Sequence, residues 1–211
     1  RPKMLKLNRR AMIALAAAAS AAMNPAFAED APAAEVPPPG DFSIGDANAP
    51  VKMVEYASFT CPHCAHFHET VWADLKKNYI DTGKVHFTLR EVYFDRVGLW
   101  AAMVARCGGE MRYFGIHDML FSKQSEWLAS QDPTVIVDAL KAIGLSAGID
   151  AAALDTCLND QAMAEALVKQ FETNMAADGV EGTPTIFVNG AKHGNLPYDE
   201  LAAVLDAELA K

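Results

Sequence analysis

The feature that most constrains this chain is the Cys-Pro-His-Cys motif at residues 61–64, which lies between a predicted strand at 51–58 and a predicted helix. Two cysteines separated by two residues can close a small disulfide ring. A thiol at the first turn of a helix lies beside unpaired backbone N–H groups and the positive end of the helix dipole, and both lower its pKa. Cys61 is therefore predicted to be a nucleophile. Cys64, one turn further into the helix, is predicted to be the less exposed resolving thiol.

Three kinds of chemistry compete for this pair of cysteines: a redox dithiol, half of a zinc site and a structural disulfide. A metal-binding protein would use Cys61 and Cys64 with His68, which the spacing places on the same helical face, and His66, which lies close by. A closed zinc site needs four ligands, and the other two cysteines are far away in sequence. The strand-to-helix context favours the redox dithiol, so no metal is expected here.

The two residues between the cysteines fit the redox interpretation. The imidazole of His63 can donate a hydrogen bond to the Cys61 thiolate, or pair with it when protonated. Either contact would stabilise the reduced form and make the disulfide a stronger oxidant. The alternative is an exposed turn histidine without a role. Pro62 has no N–H and its fixed φ suits the first helical turn, so its predicted role is to start the helix.

The amino terminus has the three parts of an export signal. Basic residues are followed by an apolar run at 11–23 and by the small-x-small sequence Ala26-Phe27-Ala28. We expect a signal peptide at residues 1–28 that is cleaved after about Ala28. The pair Arg9-Arg10 resembles a twin-arginine signal only weakly, which favours the Sec route. Export also fits four cysteines, because disulfides persist in oxidising compartments.

Composition limits the remaining possibilities. With 211 residues and 51% hydrophobic content, the chain can form one domain with a good core. No apolar run reaches the roughly 18 to 20 residues that a membrane-spanning helix needs. Without residues 1–28 the chain has 13 basic and 27 acidic residues, a net charge of −14, which argues against a nucleic-acid partner. Residues 29–40, rich in alanine, proline and acidic groups, predict a flexible tether.

A β-α-β unit and a helical block follow the motif. Residues 84–90 alternate as a strand should, and the length of the crossover predicts parallel pairing with the first strand. Residues 95–177 predict only helices. Cys107 and Cys157 lie in that block, and local pairing of the motif cysteines leaves them as partners. We expect a structural disulfide between them; two buried free thiols and a second redox pair are the alternatives.

The last part of the chain and one acidic residue complete the pattern. Gly182-Thr183-Pro184-Thr185 leads into a predicted strand, and Asn189-Gly190 is a strong hairpin signal. Sequence alone predicts a trans Pro184, because only about one X-Pro bond in twenty is cis.

Glu55 lies in the strand before the motif, where burial would raise its pKa and let it exchange a proton with Cys64. A solvated glutamate at an edge is the alternative.

A strand carrying Glu55, the motif at 61–64, a helix and the downstream Thr183-Pro184 together resemble the DsbA-type thiol:disulfide oxidoreductases of the bacterial periplasm. The resemblance covers nearly all of the chain after about residue 40. It implies an α/β fold, a thioredoxin fold with an inserted helical subdomain. It also implies a cis Pro184 against the dithiol, with the backbone of Thr183 available to an extended substrate, and a proton-transfer role for Glu55.

The resemblance also implies the domain limits and the activity. We expect the thioredoxin core at 41–94 and 178–211, with the helical insertion at 95–177 between them. The expected protein is a monomeric periplasmic oxidase that introduces disulfides into reduced exported clients through Cys61 and Cys64, uses no other cofactor, and is reoxidised by a DsbB-like membrane partner. A reductase or isomerase is the enzymatic alternative, although we expect no dimerisation domain before Val51. A metal-binding protein using Cys61, Cys64, His66 and His68 is the alternative from another class.

Overall fold

The computed structural model describes residues 39–211. The predicted signal peptide and the predicted tether, apart from its last two residues, lie outside this part of the chain. The described strands form one mixed sheet in the order β1-β3-β2-β4-β5, with the bounds β1 (Phe42–Ile44), β2 (Val51–Ala57), β3 (Val85–Glu91), β4 (Thr185–Val188) and β5 (Ala191–His193). β2 is parallel to β3, and the other neighbouring pairs are antiparallel. The predicted central strand and parallel β-α-β crossover are confirmed.

The first helix follows Cys61 and links β2 to β3. Its α-helical segments alternate with π-helical turns, in the order Pro62–Phe67, His68–Trp72 (π), Ala73–Leu75 and Lys76–Ile80 (π). Its inward-facing residues are all buried, with at most 4% of their surface exposed: Phe67, Val71, Trp72 and Leu75. Each π turn widens the helix by one residue and changes the direction of the side chains that follow. These π turns were not predicted.

The chain between β3 and β4 is helical. The helices are Arg96–Cys107, Glu110–Ser122, Gln124–Trp127, Pro133–Ser146, Ala151–Leu158 and Gln161–Asp178. Four of them begin at an aspartate whose carboxylate accepts a hydrogen bond from a backbone N–H of the first turn: Asp95, Asp132, Asp150 and Asp160. The cap at Asp95 explains why the first of these helices starts at Arg96. The short helix Gln124–Trp127 was not predicted.

Two local predictions are confirmed in this part of the fold. Cys107 and Cys157 form a disulfide, which ties the end of one helix of the block to another helix across 50 residues of sequence. β4 and β5 form the predicted hairpin. Asn189 and Gly190 both have positive φ, at 46° and 84°, as a two-residue type I′ turn requires.

The helical block and the closing helix pack against the elements that carry the motif. Helix Glu110–Ser122 contacts the first helix along its segments Pro62–Phe67 and His68–Trp72. The closing helix, Tyr198–Leu209, contacts β2 and buries Leu201 and Leu205. Within residues 39–211, none of the helices has the length and apolar character needed to cross a bilayer.

Candidate active site

Cys61 lies at the position just before the first helix and caps it. Its backbone is extended, Pro62 occupies the first helical turn, and the carbonyl of Cys61 accepts the N–H of Ala65 at 3.1 Å. Cys61 is partly exposed, whereas Cys64 is only 1% exposed, and both are free thiols. The predicted division into an accessible and a shielded cysteine therefore agrees with the burial of the two residues.

Hydrogen bonding favours the thiolate of Cys61. The pKa of Cys61 falls to about 5, chiefly because the Cys64 thiol donates a hydrogen bond to its sulfur. Partial burial opposes this shift, and the backbone N–H groups of His63 and Cys64 support it. The same hydrogen bond, together with burial and the charge of Glu55, raises the pKa of Cys64. Near neutral pH, Cys61 is therefore ionised while Cys64 keeps its proton.

Glu55 lies in β2 beneath the dithiol, between Leu89 of β3 and Ile186 of β4, and is only 3% exposed. Burial raises its pKa to about 8, and the negative charge of Cys61 adds to the shift. Such a carboxyl group holds a proton at neutral pH and can release it to a neighbouring thiolate. The alternative of a solvated edge glutamate is wrong.

The loop before β4 closes the site on the other side. The peptide bond between Thr183 and Pro184 is cis, as the family resemblance implied and as sequence statistics alone did not. The Thr183 carbonyl oxygen lies 3.6 Å from the sulfur of Cys61. The Thr183 hydroxyl is buried without a hydrogen-bond partner. Both residues of the predicted substrate-binding pair therefore stand at the dithiol.

Gln124 is a site residue that the sequence did not indicate. Its side-chain amide donates hydrogen bonds to the carbonyl oxygens of Phe59 at 2.8 Å and of Cys61 at 3.0 Å. Gln124 begins the short unpredicted helix of the helical block. It therefore connects that block directly to the backbone that carries the nucleophile.

The histidines around the motif do not act as a common set of ligands. His63 is exposed, and its backbone N–H rather than its ring contributes to the lowered pKa of Cys61. His66 is exposed and lies 3.8 Å from Glu69. His68 instead contacts Asp118. Within the described part of the chain, the one group of three potential metal ligands contains neither motif cysteine. The structure therefore does not bring Cys61, Cys64, His66 and His68 together as the alternative metal site would require.

Comparison with known proteins identifies the family. A family model described as Thioredoxin matches residues 38–207. The chain belongs to the thioredoxin family. Its fold is similar to that of alpha-DsbA1 from Wolbachia pipientis, with 30% identity and a TM-score of 0.74 over 82% of this chain and 92% of that one. These matches confirm the thioredoxin fold with its inserted helices and the resemblance to DsbA-type proteins.

Two relatives carry names that concern disulfides. A Rickettsia felis protein that bears the name of a protein-disulfide oxidoreductase is 36% identical over 172 residues, which are 80% of this chain and 60% of that protein. Disulfide bond formation protein D of Bacillus subtilis is 28% identical over 177 residues, covering 79% of this chain and 76% of that protein. The chain thus spans about three fifths of the length of the Rickettsia relative.

Proposed function

We propose that the protein is a thiol:disulfide oxidase that introduces disulfides into exported proteins in the periplasm through Cys61 and Cys64. The observation that carries the proposal is the asymmetry of the dithiol, with a partly exposed, ionised Cys61 and a buried, protonated Cys64 above Glu55. A stabilised thiolate favours the reduced form, which makes the disulfide form a stronger oxidant. The names of the relatives and the export signal predicted from the sequence at residues 1–28 support the same conclusion.

The first step forms a mixed disulfide. In the oxidised enzyme, a client thiolate attacks the sulfur of Cys61, the bond between Cys61 and Cys64 breaks, and Cys64 leaves with the electron pair. The leaving Cys64 thiolate needs a proton because its pKa is raised. Glu55, whose pKa of about 8 keeps it protonated at neutral pH, supplies that proton.

The second step releases the oxidised client. A second client thiolate attacks the client sulfur of the mixed disulfide, and Cys61 leaves as a thiolate. Its pKa of about 5 makes Cys61 the better leaving group, because low-pKa thiols leave faster. The two electrons from the client now reside on Cys61 and Cys64. A DsbB-like membrane partner would remove them and restore the disulfide.

The position of the Thr183 carbonyl supports a place for the client beside Cys61. The Thr183 carbonyl accepts a hydrogen bond from the Cys61 thiol at 3.6 Å, and its second lone pair can pair with the N–H of an extended client segment. Because main-chain pairing of this kind does not read side chains, it suits clients of varied sequence. We propose that the enzyme acts as a monomer, with no cofactor beyond its own disulfide.

Oxidation of a reduced, unfolded protein with two cysteines tests the proposal. We expect the oxidised enzyme to form the client disulfide in one stoichiometric turnover, and Cys61→Ser to abolish the reaction. Cys64→Ala cannot form the Cys61–Cys64 disulfide, so it should also fail to oxidise the client. Given a client that already carries a disulfide, its Cys61 thiolate should attack that bond and accumulate a mixed disulfide, because the resolving thiol is absent. If the protein instead reduces a client disulfide readily and does not oxidise the dithiol client, it is a reductase and the proposal is wrong.

A further inference from the structure

A second cluster of ionisable side chains lies where the first helix meets the helical block. His68 comes from the π turn His68–Trp72, and His117 and Asp118 come from helix Glu110–Ser122. The carboxylate oxygen Oδ1 of Asp118 lies 3.2 Å from Nε2 of His68 and 3.0 Å from Nδ1 of His117. One potential ligand atom from each of the three residues lies within 4.8 Å of the other two. The proposed enzyme mechanism uses none of these residues.

The cluster has the donor atoms and the spacing of a metal site. Zinc binds histidine nitrogen and carboxylate oxygen at about 2.0–2.2 Å, which puts neighbouring ligands of a tetrahedral site roughly 3.3 Å apart. The two separations from Asp118, 3.2 and 3.0 Å, need only a small expansion to reach that value. We propose that His68, His117 and Asp118 bind a divalent transition-metal ion of the zinc class, with one position open to solvent.

One side of this cluster is buried against aromatic rings, and the other side is open to solvent. His117 is buried, with 2% of its side chain exposed, and its ring meets Phe59, Trp72 and Phe121 edge to face. Asp118, with 42% of its side chain exposed, faces an open cavity of about 450 Å³ that Trp72 and Ser122 also line. Trp72 and Phe121 pack against the rings of both His68 and His117 and so hold these two ligands in place. The cavity supplies an entry path for the ion and room for a water ligand.

The carboxylate of Asp118 is available to bind a metal ion. The side chain of Asp118 is 42% exposed and lines the cavity, so its carboxylate can be reached from solvent. Lys76 also lines the cavity, but its ammonium group is bound by Asp81 at 2.8 Å. The ion would join the first helix to the helical block.

Titration with Co²⁺ and Zn²⁺ tests the proposal on the full chain with both cysteine pairs oxidised, so that no thiolate can serve as ligand. Calorimetry should give one bound ion per chain, and the Co²⁺ spectrum should lack sulfur charge-transfer bands. Asp118→Asn and His68→Ala should each weaken binding at least about 10- to 100-fold, the loss typical of changes merely adjacent to metal ligands. His66→Ala is the matched control, because His66 is an exposed histidine on the same helix, and it should leave the affinity unchanged.

Thermal unfolding gives a second readout that does not depend on affinity alone. Saturating Zn²⁺ should raise the unfolding midpoint of the wild-type chain and of His66→Ala, but not that of Asp118→Asn, because a ligand stabilises only the state that binds it. Unfolding without metal shows whether each variant is folded. If Asp118→Asn does not fold, His68→Ala, which changes a residue at the edge of the cluster, takes its place in this comparison. Equal Co²⁺ affinity in wild type and both variants would show a hydrogen-bond network only and would overturn the proposal.

Discussion

Replacing Cys64 by alanine should raise the pKa of Cys61 by a measurable amount. The hydrogen bond from the Cys64 thiol is the largest cause of the lowered pKa of Cys61. Hydrogen bonds to charged groups contribute about 1.5–3 kcal/mol, and about 1.36 kcal/mol corresponds to one pKa unit. Losing this bond should therefore move the pKa of Cys61 from about 5 to about 6–7, still below that of a free thiol because the backbone N–H donors remain.

The pKa can be read from ultraviolet thiolate absorbance as a function of pH, with iodoacetamide reactivity as a second measure. In Cys64→Ala only Cys61 titrates as a free thiol, because Cys107 and Cys157 form a disulfide. Cys64→Ser is the matched control: its hydroxyl can still donate, so the pKa of Cys61 should rise less than in Cys64→Ala. A Cys64→Ala pKa that stays near 5 would refute the reasoning and assign the shift to the helix terminus alone.

Three further predictions follow from the buried carboxyl group, the second disulfide and the motif histidine. Because the pKa of Glu55 rises from 4.5 to about 8, the native state keeps a proton that the unfolded state loses, and stability falls as pH rises through this window. In urea unfolding, the free energy of unfolding of Glu55→Gln minus that of wild type should therefore increase by about 3–5 kcal/mol from pH 5 to pH 9. A difference that does not change with pH would contradict the burial argument. Changing Cys107 and Cys157 together to alanine should cost about 4 kcal/mol of unfolding free energy for a 50-residue loop, with client oxidation unchanged; lost oxidation in a folded variant would indicate a redox role. The role predicted for the His63 ring is tested by His63→Ser, which keeps the backbone N–H that supports the Cys61 thiolate. A less oxidising Cys61–Cys64 disulfide in this variant would show that the ring stabilises the reduced form, and an unchanged reduction potential would exclude that role.

Much of the fold could be predicted because its signals are local. The motif at 61–64 stands between a strand and a helix, and Asn189-Gly190 alone specifies the last hairpin. The pairing of Cys107 with Cys157 followed from counting, since the motif cysteines pair locally. The cis bond before Pro184 came from family resemblance rather than from physics, because an isolated Thr-Pro bond favours trans.

The contacts that escaped prediction are tertiary. Gln124 reaches the Phe59 carbonyl across 65 residues of sequence, and nothing near Gln124 in the sequence marks that contact. The sequence suggested His68 only as a metal ligand beside the motif cysteines, but in the fold His68 contacts Asp118, which lies 50 residues away in sequence. An α-helical period cannot anticipate the π turn at His68–Trp72. The burial of Glu55 likewise depends on strands β3 and β4, which flank β2 only in the folded sheet.

The most direct test of the oxidase assignment is the reduction potential of the Cys61–Cys64 pair. It can be measured by equilibrating the protein with glutathione buffers, alkylating the free thiols and determining the mass of the product. A thiolate with a pKa of about 5 beside a buried partner predicts a potential more oxidising than about −200 mV. A value near about −270 mV, as in thioredoxin, would contradict the oxidase and identify the protein as a reductant.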